Sequence, residues 1–209
     1  MKKVKFSSGE LSLEGILNVP QGSCPFLAAV ICHPHPLYGG SMDSTVVNAV
    51  FSTLARASFI SLKFNFRGMG ASEGEFSQGT GEQEDVAAAI SLVSSVKEVD
   101  LSKMAVVGYS AGAAFGLSIA FEDDRIKALV AISPPLDMFN FNFLQNCPKH
   151  KLLISGSRDD FTTQPRFLEF CQTLPEPKEY EIVEAADHFR WRYEDIVAAK
   201  VTSFLSSAL

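Results

Sequence analysis

The chain has 209 residues, of which 46% are hydrophobic and 20% charged, and its formal net charge is −6. That balance belongs to a soluble globular protein able to bury a substantial core, and the net charge implies no basic face for nucleic acid or anionic lipid. The longest apolar run, Phe26–Cys32, is too short to span a bilayer. Met1-Lys2-Lys3 is followed by polar Ser7-Ser8-Gly9-Glu10 where a signal peptide would place its apolar region. One cytoplasmic domain over residues 1–209, with no membrane or nucleic-acid partner, is therefore expected. The cysteines Cys24, Cys32, Cys147 and Cys171 show no C-x-x-C spacing, so neither a zinc site nor a disulfide framework is expected.

In chain order, Val4–Phe6 and Leu11–Val19 flank Ser7-Ser8-Gly9-Glu10 and read as an antiparallel hairpin at a sheet edge. Phe26–Cys32 is continuously apolar, as a strand buried on both faces of a parallel sheet must be. It runs into His33-Pro34-His35-Pro36-Leu37-Tyr38-Gly39-Gly40, too rich in proline and glycine for helix or strand. Ser41 or Asp43 can cap the next helix, whose Val46, Val47, Val50, Phe51 and Leu54 form one stripe. Phe59–Phe66 is a strand ending in Arg67-Gly68-Met69-Gly70, and Thr80 with Gln83 has the spacing of a capping box for the following helix. Gly68-x-Gly70 is not a dinucleotide fingerprint, because the third glycine comes one residue late and no helix opens there. A structured turn is expected instead, with Arg67 bonding nearby backbone carbonyls.

Met104–Val107 is a short apolar strand that stops at Gly108-Tyr109-Ser110-Ala111-Gly112, with a helix-compatible Ala111–Phe121 behind it. This is the G-x-S-x-G pattern in which a strand turns sharply into a helix and leaves a serine hydroxyl at the tip. Strands at Ala128–Ile132, Leu152–Ser155 and Tyr180–Val183 follow, with helices at Gln164–Leu174 and Trp191–Leu205. Strands alternating with helices imply an α/β fold, a mostly parallel twisted sheet covered on both faces.

A serine nucleophile needs a base, and the base needs an orienting acid. Of the four histidines, His150 sits between Lys149 and Lys151 and reads as a solvated surface residue, while His188 follows the last strand and Ser110 in the chain. His188 is the best base. The acid should come from a loop at the same carboxyl edge of the sheet, which leaves Asp159, Asp160 and Asp137 as candidates; Asp187 adjoins His188 and is poorly placed to hold it.

These segments together resemble the α/β-hydrolases, and within them the small, lidless serine hydrolases related to the dienelactone hydrolases. The likeness spans His33–Gly40, Asn65–Gly74, Gly108–Gly112, Gly156-Ser157-Arg158-Asp159 and Asp187-His188. It implies the order Ser110, Asp159, His188, since the family's acid stands three residues after the glycine closing its strand. It also implies an oxyanion hole made by the Ala111 N–H and one from the loop after Phe26–Cys32. Pro34 and Pro36 have no N–H, so the donor is His35, Leu37 or a neighbour, and similarity to the H-G-x loop of other members favours His35. Dienelactone hydrolases carry a cysteine where this chain has Ser110, which argues against that particular substrate.

The expected activity is hydrolysis of small or short-chain carboxylic esters without metal or cofactor. Thioester hydrolysis is the nearest alternative, and a non-catalytic partner-binding protein of the same fold the alternative from another class. Leu37, Tyr38 and Tyr109 are expected to line the pocket. So are Phe139, Phe141 and Phe143, whose alternation in a short segment suggests an apolar wall.

Overall fold

The computed structural model describes residues 1–188 and 192–209. Eight strands form one sheet: β1 (Lys2–Ser8), β2 (Leu11–Asn18), β3 (Phe26–Cys32), β4 (Ile60–Phe64), β5 (Val99–Tyr109), β6 (Ile126–Ile132), β7 (His150–Gly156) and β8 (Lys178–Val183). Their spatial order is β1-β2-β4-β3-β5-β6-β7-β8. β1 pairs antiparallel with β2, and β2 antiparallel with β4; every later pairing is parallel.

Among the described residues five helices complete the fold: α1 (Thr45–Arg56), α2 (Thr80–Ser94), α3 (Ala111–Ala120), α4 (Gln164–Thr173) and α5 (Glu194–Ala208). Alternate residues of the central strands feed two separate cores. Val30, Val106 and Leu129 pack with α2, α3 and α4, while Ile31, Val107 and Val130 pack with α1 and α5. Strand segments buried on both faces are apolar at successive positions, which is why residues 28–32 of β3, 104–107 of β5 and 128–132 of β6 read as runs rather than alternations. All parallel strands then present their carboxyl ends, and the loops leaving them, at one edge of the sheet.

Several boundaries differ from the sequence expectation. β5 begins at Val99 rather than Met104, because Val99 pairs with Phe26 across a bulge. A 3-10 turn, Pro36–Tyr38, interrupts the proline-rich loop that was expected to hold no helix. Ser44, not Ser41 or Asp43, precedes α1, and its side chain makes no capping bond. The start of α2 is not capped by Thr80 and Gln83: the buried Glu82 carboxylate accepts the Gly79 N–H at 2.7 Å and the Ser77 N–H at 3.0 Å. Among the described residues the Arg67 side chain bonds no backbone carbonyl; its guanidinium pairs with the buried Asp85 at 2.8 Å and with Glu84 at 3.0 Å, which ties the loop after β4 to α2. The terminal helix starts at Glu194 and runs to Ala208; Trp191 lies outside the described residues.

Candidate active site

Ser110 sits between β5 and α3 with φ 55° and ψ −124°, a conformation that costs a non-glycine residue of order 1–3 kcal/mol. Its N–H donates to the Ile132 carbonyl at 2.8 Å, which fastens the turn to the neighbouring strand. The flanking glycines are required by space. A Cβ on Gly108 would strike the Ala113 backbone, and one on Gly112 the His33 and Cys32 carbonyls. The helix behind therefore starts flush against the strand, with its first N–H groups beside the serine.

The Ser110 hydroxyl lies 2.8 Å from His188 Nε2. On the other side of the imidazole, Nδ1 lies 2.8 Å from Asp159 Oδ2 and 3.0 Å from Oδ1. Asp159 Oδ1 also accepts the Phe161 N–H at 2.9 Å and the Thr162 N–H at 3.2 Å. All three side chains are buried, Ser110 at 7% exposure, Asp159 at 5% and His188 at 3%. The other carboxylates considered stand elsewhere. Asp160 is exposed, and Asp137 is exposed and bonded to Arg166 at 3.2 Å. His150 is exposed at the start of β7.

A cavity of about 220 Å³ opens over Ser110 and His188. Ala111 and His35 line it, and neither backbone N–H has an acceptor among the described residues. Tyr38, Tyr109 and Phe139 line it as well. Leu37, Phe141 and Phe143 do not. Leu37 lies on the far side of the 3-10 turn, 70% exposed, in a separate groove with Met69 and Phe76. Phe141 is 2% exposed and packs against Phe143 and Phe170, and Phe143 against Phe121. The alternation of these rings would share one face only on an extended strand, and here the chain enters a 3-10 turn at Asn142–Asn146. Sequence reasoning missed Met138 and Phe161, both on the cavity wall. Phe161 carries a signal in retrospect, standing two residues beyond Asp159; its ring centroid lies 4.4 Å from that of His188.

The profile of the alpha/beta hydrolase domain matches residues 30–196, most of the chain. The chain belongs to the alpha/beta hydrolase family. A protein of unknown function from Agrobacterium tumefaciens, assigned to the alpha/beta hydrolases, superposes with a TM-score of 0.89 at 29% identity, covering 98% of this chain and 95% of that one. An alpha-beta serine hydrolase homologue from Coxiella burnetii gives 0.84 at 26% identity, covering 100% and 97%. A serine hydrolase without a lid from Xanthomonas campestris gives 0.86 at 24% identity, covering 100% and 94%, and shares the fold.

In this alpha/beta hydrolase the remaining loop histidine is structural. His33 is fully buried, its Nδ1 donating to the Pro34 carbonyl at 2.6 Å and its Nε2 accepting the Phe66 N–H at 3.1 Å. It thereby ties the His35 loop to the end of β4. Burial pushes its pKa down to about 4, with the Pro34 bond opposing. A folded pKa below the unfolded one means that stability is fully present above about pH 6.5 and is lost as the pH falls toward 4, at about 3 kcal/mol in all. His33→Gln lacks this titration. Its stability deficit in urea unfolding is expected to be largest at pH 7.5 and to shrink markedly at pH 4.5; a constant deficit would contradict the assignment.

Proposed function

We propose that this alpha/beta hydrolase is a serine hydrolase that cleaves small, uncharged carboxylic esters through an acyl-enzyme. The observation carrying the reading is the unbroken chain from Ser110 Oγ through both nitrogens of His188 to Asp159, with both links at 2.8 Å. Ser110 Oγ attacks the ester carbonyl carbon and its proton passes to His188 Nε2. Negative charge gathers on the carbonyl oxygen, where the Ala111 and His35 N–H groups are available to receive it. Collapse expels the alcohol, which takes the proton from His188. Water then repeats the sequence on the acyl-enzyme, releasing the acid and restoring Ser110.

The cavity wall supports the limits on substrate. It is built from Tyr38, Met138, Phe139 and Phe161, with small polar groups and no Lys, Arg, Asp or Glu among its described residues. Such a lining favours a neutral, apolar acyl or alcohol group over a charged one. The segment between β6 and β7 is fastened down: Leu136 N–H donates to Thr162 Oγ1 at 2.9 Å, and that hydroxyl donates to the Pro134 carbonyl at 2.8 Å. A segment so pinned does not swing as a lid, so no activation at a lipid interface is expected.

The test is a series of p-nitrophenyl esters of increasing chain length, set beside acyl-CoA thioesters. Acetate and butyrate esters should give the highest kcat/KM. A preference for thioesters, or a maximum at long chains with a jump in rate on lipid, would overturn the reading. Within that series Phe139→Ala should raise KM for butyrate by about fivefold, the worth of roughly 1 kcal/mol of apolar contact, and for acetate much less. Phe141→Ala should instead cost about 3–5 kcal/mol of stability with little change in KM, as expected of a core ring. Equal KM changes in the two variants would contradict this division of the wall.

A further inference from the structure

The histidine loop must hold an imidazole to within tenths of an ångström, yet His188 lies five residues beyond the end of β8, where no strand ladder supports it. Its position is fixed from outside. Tyr109, the last residue of β5 and the neighbour of Ser110, donates its phenol O–H to the His188 carbonyl at 2.6 Å. The donor and acceptor are 79 residues apart, and the bond is buried. The Tyr109 ring is 6% exposed and packs in the core beneath α1 and α5. Its phenol therefore reaches from a rigid base, the central strand of the sheet.

From this bond we propose, resting on the reading above, that Tyr109 is a positioning residue: it couples the backbone of the base to the same strand end that carries the nucleophile. One strand then sets both sides of the 2.8 Å Ser110–His188 contact, Ser110 through the peptide bond and His188 through the phenol. Phe161 limits the remaining freedom, since its ring lies beside the imidazole, tilted by 37°, and restricts rotation about the side chain. Two further bonds steady the loop upstream, from Ala185 N–H to Ser157 Oγ at 2.8 Å and from Arg158 N–H to the Ala186 carbonyl at 2.9 Å. Neither of them acts on His188 itself. The Tyr109 hydroxyl acts on that residue directly, so its removal should be felt in the geometry of proton transfer rather than in substrate binding.

Tyr109→Phe keeps the ring and its packing and removes only the hydroxyl. It should lower kcat about tenfold with KM little changed, since small misplacements of a catalytic group are costly. Phe204→Leu, in the same core but on α5 away from the site, serves as the control for general destabilisation. It should leave kcat and KM unchanged at a comparable loss of Tm. The proposal is overturned if Tyr109→Phe keeps wild-type kcat, if its loss appears in KM instead, or if Phe204→Leu reproduces the loss in kcat. Ser110→Ala, assayed in parallel, separates the two levels. An active Ser110→Ala enzyme removes the serine-hydrolase reading, whereas an inactive one beside a fully active Tyr109→Phe removes the positioning role alone.

Discussion

Ser110→Ala is expected to lower kcat on p-nitrophenyl acetate by about six orders of magnitude, to the level supported by the oxyanion donors and binding alone. On the proposed mechanism, loss of the hydroxyl removes the attacking atom, and water at that place is neither covalently held nor aligned with His188 Nε2. The change is otherwise small. The residue's N–H bond to the Ile132 carbonyl does not involve the side chain, and the strain at φ 55° is the same for alanine as for serine. The variant should therefore fold with a nearly unaltered Tm, so that inactivity is not mistaken for unfolding. Turnover within about tenfold of the wild type in a folded Ser110→Ala protein would rule out Ser110 as nucleophile.

Asp159→Asn should cost about three to four orders of magnitude in kcat, while Asp160→Asn should cost little. The size of the effect follows from the bonds around the carboxylate. Asp159 Oδ1 accepts the backbone N–H groups of Phe161 and Thr162, so an asparagine must keep its oxygen there. Its NH2 group then faces His188 Nδ1, where the aspartate Oδ2 lay at 2.8 Å. The imidazole is driven to accept at Nδ1 and to carry its proton on Nε2, the atom that must take the proton of Ser110. The nearby exposed Asp160 makes no such contact. Steady-state rates of the two variants, measured on one ester, decide the matter. Equal effects, or a larger one at Asp160, would contradict the geometry.

Much of this architecture is legible in the sequence for identifiable reasons. Residues 28–32 of β3 and 128–132 of β6 are runs of buried apolar residues, which mark a sheet covered on both faces. The elbow is readable because sterics leave few choices: a side chain at Gly108 or Gly112 would collide with backbone. Topology puts Ser110, His188 and the candidate acids Asp137, Asp159 and Asp160 in loops at the carboxyl edge, and only the resemblance to the family singles out Asp159 among the three. What was not legible depends on contacts between distant segments. The role of Arg67 is set by Asp85, which α2 brings to it, and the cap of α2 by Glu82, buried under a loop. The three phenylalanines looked alike as Phe139, Phe141 and Phe143, but only Phe139 lines the cavity; Phe141 is buried in the core, and Phe143, within the 3-10 turn, packs against that core. Tyr109 likewise occupies the variable position of the elbow motif, and its bond to His188 spans 79 residues that no local pattern connects.

The most direct test of the account is to label the wild-type protein with a fluorophosphonate and locate the modified residue by peptide mass mapping. The probe reacts with a serine only where a base withdraws the proton and donors meet the developing oxyanion, so it reads the arrangement independently of any substrate. The account predicts stoichiometric modification of Ser110, loss of esterase activity in step with labelling, and no labelling of Ser110→Ala. Modification of another serine, or a folded wild-type protein that the probe leaves untouched, would contradict it.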